Sequence, residues 1–130
     1  MAHLLVDGMN IIGSRPDGWW RDRDGAVRRL LARLQVLARA SDDTFTLVLD
    51  GRPLTDLPEG EHDGVEVAYA RRRGRNAADD RIVELVRESP TPSALAVITS
   101  DRALADQVRA LGAEVSGARS LLARLDEHPV

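Results

Sequence analysis

Apolar and polar positions fall into blocks of two kinds along this chain. Short, nearly unbroken apolar runs occupy residues 4–6, 44–49, 65–70 and 94–99. Runs of that kind read as strands buried on both faces, the pattern of a parallel sheet. Between them, apolar residues return every three or four positions, the helical period. Val27, Leu30, Leu31, Leu34, Leu37 and Ala38 do so within residues 22–40, and Ile82, Val83, Leu85 and Val86 within residues 77–88. Two further helices are expected over residues 102–111 and 118–127, with a short fifth strand at 114–116 between them. Asp22 and Asp24 suit the positive end of the first helix, Ser41-Asp42-Asp43 stops it, and Gly112 closes the third. Residues 11–20 and 52–64 carry Gly and Pro punctuation and read as loops. Glu66 breaks the third run and suggests an edge strand. The order β-α-β-β-α-β-α-β-α predicts an α/β class fold, a three-layer α/β/α domain with a mainly parallel five-stranded sheet, with residues 1–130 as one domain.

Several of these runs end in a carboxylate. Val6 leads into Asp7-Gly8-Met9-Asn10, Leu49 into Asp50-Gly51, and Ile98 into Thr99-Ser100-Asp101. Open α/β sheets place ligands at the carboxyl ends of their strands, so these acids are expected along one edge. Asp79 shares a helix face with Ile82 and can turn toward the same edge. Asp80 points elsewhere and offsets the helix dipole. Gly8 permits a sharp exit turn, which the Asn10 amide can tie to neighbouring backbone. Each piece also has an ordinary structural reading. The Asp-Gly pairs can be simple Asx-type turns, and Ser100 or Asp101 can cap the next helix. Clustered carboxylates, however, repel one another unless a cation or a shared proton compensates.

Composition narrows that choice. With 130 residues, 43% hydrophobic and 30% charged, the chain reads as an ordinary soluble globular protein. No apolar run approaches the roughly 18 residues of a membrane span, and no basic flank precedes a signal-like core. The expected location is therefore cytoplasmic, with no membrane partner. The lack of cysteine excludes a thiolate nucleophile and cysteine-ligated zinc. His3, His62 and His128 lack ligand spacing. A metal here would be held by oxygen, which means Mg²⁺ or Mn²⁺. All 18 basic residues are arginine. A P-loop requires a lysine, and so do the aspartate-based phosphatases and receiver domains, so those readings lose ground. At a net charge of −3, affinity for phosphate must come from a local patch.

Arg71-Arg72-Arg73-Gly74-Arg75 is the concentrated basic run, placed just before Asn76, a candidate N-cap, and the helix of Asp79. It is either a solvated loop or a phosphate-binding rim. Trp19 and Trp20 lie side by side, one expected as a packing anchor and the other exposed. An exposed Trp20 beside Arg15 or Arg21 could stack on a nucleobase.

The segments Leu4-Leu5-Val6-Asp7-Gly8-Met9-Asn10, Leu47-Val48-Leu49-Asp50-Gly51, Asn76-Ala77-Ala78-Asp79-Asp80-Arg81-Ile82 and Val97-Ile98-Thr99-Ser100-Asp101-Arg102 follow one another across nearly the whole chain. In these segments and their order the chain resembles the NYN and YacP-like branch of the PIN-domain ribonucleases. The resemblance implies a PIN-like fold and a metal-dependent endoribonuclease acting on RNA in a bacterial cytoplasm. It implies Asp7, Asp79 and Asp101 as the catalytic, metal-binding acids. Asp50 and Asp80 would support them, Asn10 would order the loop, and Thr99 or Ser100 would assist in the metal shell. Arg15, Trp20, Arg71, Arg72, Arg73 and Arg75 are the expected substrate-binding residues. One departure stands out: the approach to Asp79 is arginine-rich, where YacP-like relatives tend to carry a lysine and a glutamate. Two other readings compete. One is a non-catalytic module that binds RNA or the ribosome; the other is a phosphatase or nucleotide-binding protein on a similar sheet.

Overall fold

The computed structural model describes residues 2–74 and 76–129. The chain runs through β1 (His3–Asp7), α1 (Gly8–Gly13), α2 (Arg23–Ala40), β2 (Thr44–Leu49), β3 (Gly60–His62), β4 (Val65–Tyr69), α3 (Ala77–Glu88), β5 (Leu95–Ile98), α4 (Arg102–Ala110), β6 (Glu114–Ser116) and α5 (Ala118–Glu127). Single 3₁₀ turns at Trp19–Arg21 and Pro92–Ala94 precede α2 and β5. The strand order is β3-β4-β2-β1-β5-β6. All neighbours are parallel except β3, which pairs antiparallel to β4.

Side-chain alternation along the central strands builds two cores. Leu4 and Val6 of β1, with Phe45, Leu47 and Leu49 of β2, face α1, α2 and α5. Leu5 and Val48 face the opposite way, onto Ile82 and Val86 of α3 and Leu104 and Val108 of α4. Burying each of these large side chains contributes roughly 1.5–3 kcal/mol. The sheet is therefore covered on both sides, which is why β1 and β2 read as unbroken apolar runs. In this arrangement β1, β2 and β5 all point the same way, and their carboxyl ends share one edge.

Several local expectations change. The sheet has six strands, not five, because Gly60–His62 within the expected loop 52–64 adds to β4. Glu66 consequently lies beside Glu61 on an inner strand, where it is exposed although it holds no edge position. Residues 11–13, expected as loop, continue α1, and Ile11 and Ile12 are buried in the core. Gly8 makes no left-handed turn. A Cβ there would lie 2.8 Å from Leu49 Cδ2 and 3.0 Å from the Val48 carbonyl oxygen, so the residue is required by close approach of α1 to β2. Asn76 adopts φ 60° and its side chain does not cap α3.

Candidate active site

Asp7 closes β1 and is only 5% exposed. Its side chain makes no capping bond to α1. Instead its Oδ2 accepts a hydrogen bond from the Thr99 hydroxyl at 2.9 Å. Burial pushes the Asp7 carboxyl up to about 6; the Thr99 hydroxyl opposes that rise, and the nearby charges of Asp79 and Asp101 add to it. Asp79, in the first turn of α3 and half-buried, is raised for the same reasons: burial first, then Asp101, Asp80 and Asp50. Asp7 thus lies in the field of Asp79 and Asp101, and Asp79 in that of Asp101, Asp80 and Asp50.

The loop after β5 is cross-braced to the loop after β1. The Ser100 backbone N–H donates to Asn10 Oδ1 at 2.9 Å, and the Asp101 N–H donates to Thr99 Oγ1 at 3.1 Å. Asp101 Oδ1 caps α4 by accepting from the Leu104 N–H at 3.1 Å. Its structural reading is therefore realised, and its second oxygen is the one left for the edge. The Ser100 hydroxyl accepts from the Ala118 N–H at 3.1 Å, which ties the start of α5 to the same loop. Thr99 and Ser100 thus act on Asp7 and on the backbone.

Asp50 is engaged by a residue that sequence reasoning did not single out. Arg23, the first residue of α2, pairs with the Asp50 carboxylate and donates to its carbonyl oxygen at 3.0 Å. No pattern in the sequence links residues 23 and 50, since the pairing arises only when α2 packs back on β2. Asp80 is exposed and pairs with Arg72 at 2.7 Å. Arg71 pairs with Glu84 at 2.6 Å, and Glu84 also takes Arg81 at 2.8 Å. Arg73 is exposed, and Arg75 lies outside the described residues. Arg15 is turned toward α5, where it pairs with Asp126 at 2.9 Å. Trp20 is 58% exposed, with the Arg21 guanidinium 5.9 Å from its ring centre. Trp19 packs against the core.

The donors at the edge are all oxygen, and the charges on them are mutually unfavourable. Both properties fit a hard divalent cation. Among the described residues no three acidic or histidine side chains already form a cation cage.

A family model described as the YacP-like NYN domain matches residues 4–129. Among solved structures, Rae1 (YacP) from Bacillus subtilis is similar, with a TM-score of 0.79 and 24% identity, covering 98% of this chain and 75% of that one. A tryptophan-to-leucine mutant of the same protein gives a TM-score of 0.77 at 24% identity, covering 98% and 76%. These likenesses show the fold. No curated protein sequence matches the chain.

Proposed function

The chain belongs to the YacP-like NYN family, a PIN-like, nuclease-type domain, and on that premise we propose that it is a metal-dependent endoribonuclease hydrolysing RNA phosphodiester bonds at the acidic edge. The observation that carries the reading is Asp7, a buried carboxyl pushed up to about 6, with two further acids in its field. Such a group is poorly placed as a mere turn and well placed to take a cation. Mg²⁺ or Mn²⁺ bound there would lower the pKa of a water and offset charge on the phosphate under attack.

The chain's own residues do the rest. Asp7 and Asp79 offer carboxylate oxygens, and Asp101 offers the oxygen not used in capping α4. Thr99 fixes the rotamer of Asp7 and Asn10 holds the two loops together. Arg71 and Arg72 sit in exposed ion pairs. Pairs of that sort contribute about 0–1 kcal/mol, so an incoming phosphate can replace the carboxylate partner at little cost. Trp20 supplies an exposed face on which a base can stack.

The test is cleavage of single-stranded RNA in Mn²⁺ by the wild type and by Asp7→Asn, with circular dichroism as the folding check. Loss of more than about 100-fold in rate with an unchanged fold is expected. Equal cleavage by the mutant rejects the reading, and RNA binding by the wild type without cleavage points to the non-catalytic RNA- or ribosome-binding module.

A further inference from the structure

The Arg71–Arg73 segment flanks one side of the acidic edge. On the other side a groove leads away from it. Ser100 and Gly117 line a depression together with Asp101, and the same two residues line the next depression with Ser14 and Arg119. Leu122 carries that surface on into a cavity of about 240 Å³ between α1, the Trp19 turn, α2 and α5. Its apolar walls include Ile11, Ile12, Trp19 and Leu30. Arg15, Arg29 and Arg33 stand around it, with Asp17 as the acidic residue of the lining. Arg15 and Arg33 each donate at 2.9 Å to a different oxygen of Asp126, which holds both guanidinium groups in place. Arg29 and Arg119 are exposed and form no ion pair among the described residues.

This combination has a chemical preference. An apolar slot with an indole wall suits a planar aromatic ring, and guanidinium groups around its mouth suit phosphate. The volume lies below the roughly 300 Å³ at which whole-ligand pockets begin, so the slot has room for a base and leaves sugar and phosphate outside. The connection to the acidic edge is short and direct. α1 starts immediately after Asp7 and its fourth and fifth residues, Ile11 and Ile12, wall the cavity. The whole helix is about 9 Å long.

We propose that this groove is the path of the RNA strand on the α5 side of the acidic edge. One nucleobase enters the Trp19 cavity, and Arg29 and Arg119 contact the phosphates on either side of it. The inference rests on the nuclease reading for the identity of the strand, and it adds a binding subsite away from the acids.

Fluorescence anisotropy of a single-stranded oligoribonucleotide of roughly a dozen nucleotides, measured in EDTA so that no cleavage intervenes, tests it. Arg29→Glu with Arg119→Glu is compared with Arg39→Glu and Arg87→Glu, which make the same charge change at the exposed ends of α2 and α3. The groove pair is expected to weaken binding at least about tenfold and to flatten the log–log salt slope by about 1.4, two phosphates at 0.7 each for single strands. The control pair is expected to leave both near wild type. Equal losses in the two pairs, or no loss in the groove pair, overturn the proposal. In a Trp20→Phe background Trp19 is the sole tryptophan, and its emission should change on RNA saturation; unchanged emission overturns base entry into the cavity. Cleavage in Mn²⁺ is run in parallel. Undiminished binding and cleavage by the groove pair reject the groove and keep the nuclease reading. Binding lost in the groove pair while the wild type never cuts rejects the nuclease and keeps the groove. A wild type that neither binds nor cuts overturns both.

Discussion

Thr99 and Asp7 are 92 residues apart in sequence, and the hydroxyl of one donates to the carboxylate of the other at 2.9 Å. The same hydroxyl accepts from the Asp101 N–H, so a single oxygen positions two of the three central acids. Because the bond stabilises the ionised form, it holds the Asp7 carboxyl below where burial alone would put it. Thr99→Val keeps the shape and removes the donor. Asp7 should then ionise at higher pH, by about one pH unit given the strength of a hydrogen bond to a charged group. The carboxyl resonance of Asp7 in the metal-free protein reads this directly, and the acid limb of the pH–rate profile should move the same way. An unmoved titration would show that the bond is not maintained in solution.

Asp7 itself should be a stability liability at neutral pH. Its folded value of about 6 lies above the ordinary 3.8, so the protonated form is the one that folding favours. Its contribution is fully favourable below about pH 4 and is lost as pH rises through about 6. The gap corresponds to an upper figure of about 3 kcal/mol above that window. Asp7→Asn removes the ionisation while keeping an oxygen for Thr99. It should raise the melting temperature of the metal-free protein by several degrees at about pH 8 and have little effect at about pH 4. Mn²⁺ should stabilise the wild type at the higher pH and leave the mutant unmoved. A mutant that is destabilised at both pH values would contradict the assignment.

Why some of this was legible in the sequence and some was not follows from range. β1, β2 and α3 were readable because local pattern decides them: Leu4, Leu5 and Val6 are all buried as the unbroken run requires, and Ile82, Val83 and Val86 fall on one helix face. That Asp7 and the loop carrying Asp101 fall at one edge was readable because parallel strand ends share it; Asp79 comes near them from the first turn of α3. β3 was not readable, since three residues with Gly at one end carry no alternation of their own and pair only because β4 offers an edge. Ile11 and Ile12 read as the start of a loop because Gly13 and Pro16 follow, yet both are anchored by the core under α1. Asn76 has the right residue type for an N-cap, but its left-handed backbone turns the side chain away from that role. Arg23 joins Asp50 only through tertiary packing, which no window of sequence contains.

That pairing can be measured. Arg23 donates both to the carboxylate and to the carbonyl oxygen of Asp50, and its guanidinium lies 3.0 Å from where a Gly51 Cβ would stand. Both side chains remain about a third exposed, so solvent screening limits the coupling to about 0.5–1 kcal/mol. A double-mutant cycle of Arg23→Ala and Asp50→Ala, read by urea denaturation, should show non-additivity of that size. Strict additivity would mean that the pair is ornamental and that Asp50 is held by its turn alone.

The two glycines of α1 should respond in opposite directions to the same substitution. Alanine has the better helix propensity by about 1 kcal/mol. At Gly13 the nearest atom to a new Cβ is Trp19 Cζ2 at 3.9 Å, an ordinary contact, so Gly13→Ala should stabilise by about 0.5–1 kcal/mol. At Gly8 the Cβ would meet Leu49 Cδ2 at 2.8 Å, and also the Val48 carbonyl oxygen at 3.0 Å. A leucine terminus can swing aside; a strand carbonyl in a parallel ladder cannot. Overpacking costs typically about 1–3 kcal/mol, which exceeds the propensity gain. Gly8→Ala should therefore lower stability and, by lifting α1 off β2, displace Asn10 from the Ser100 N–H that braces the acidic edge. Thermal denaturation separates the two variants by sign. If the close approach of α1 were relaxed in solution, both would be stabilised alike, and the requirement for glycine beside Asp7 would have to be sought in the chemistry of the edge.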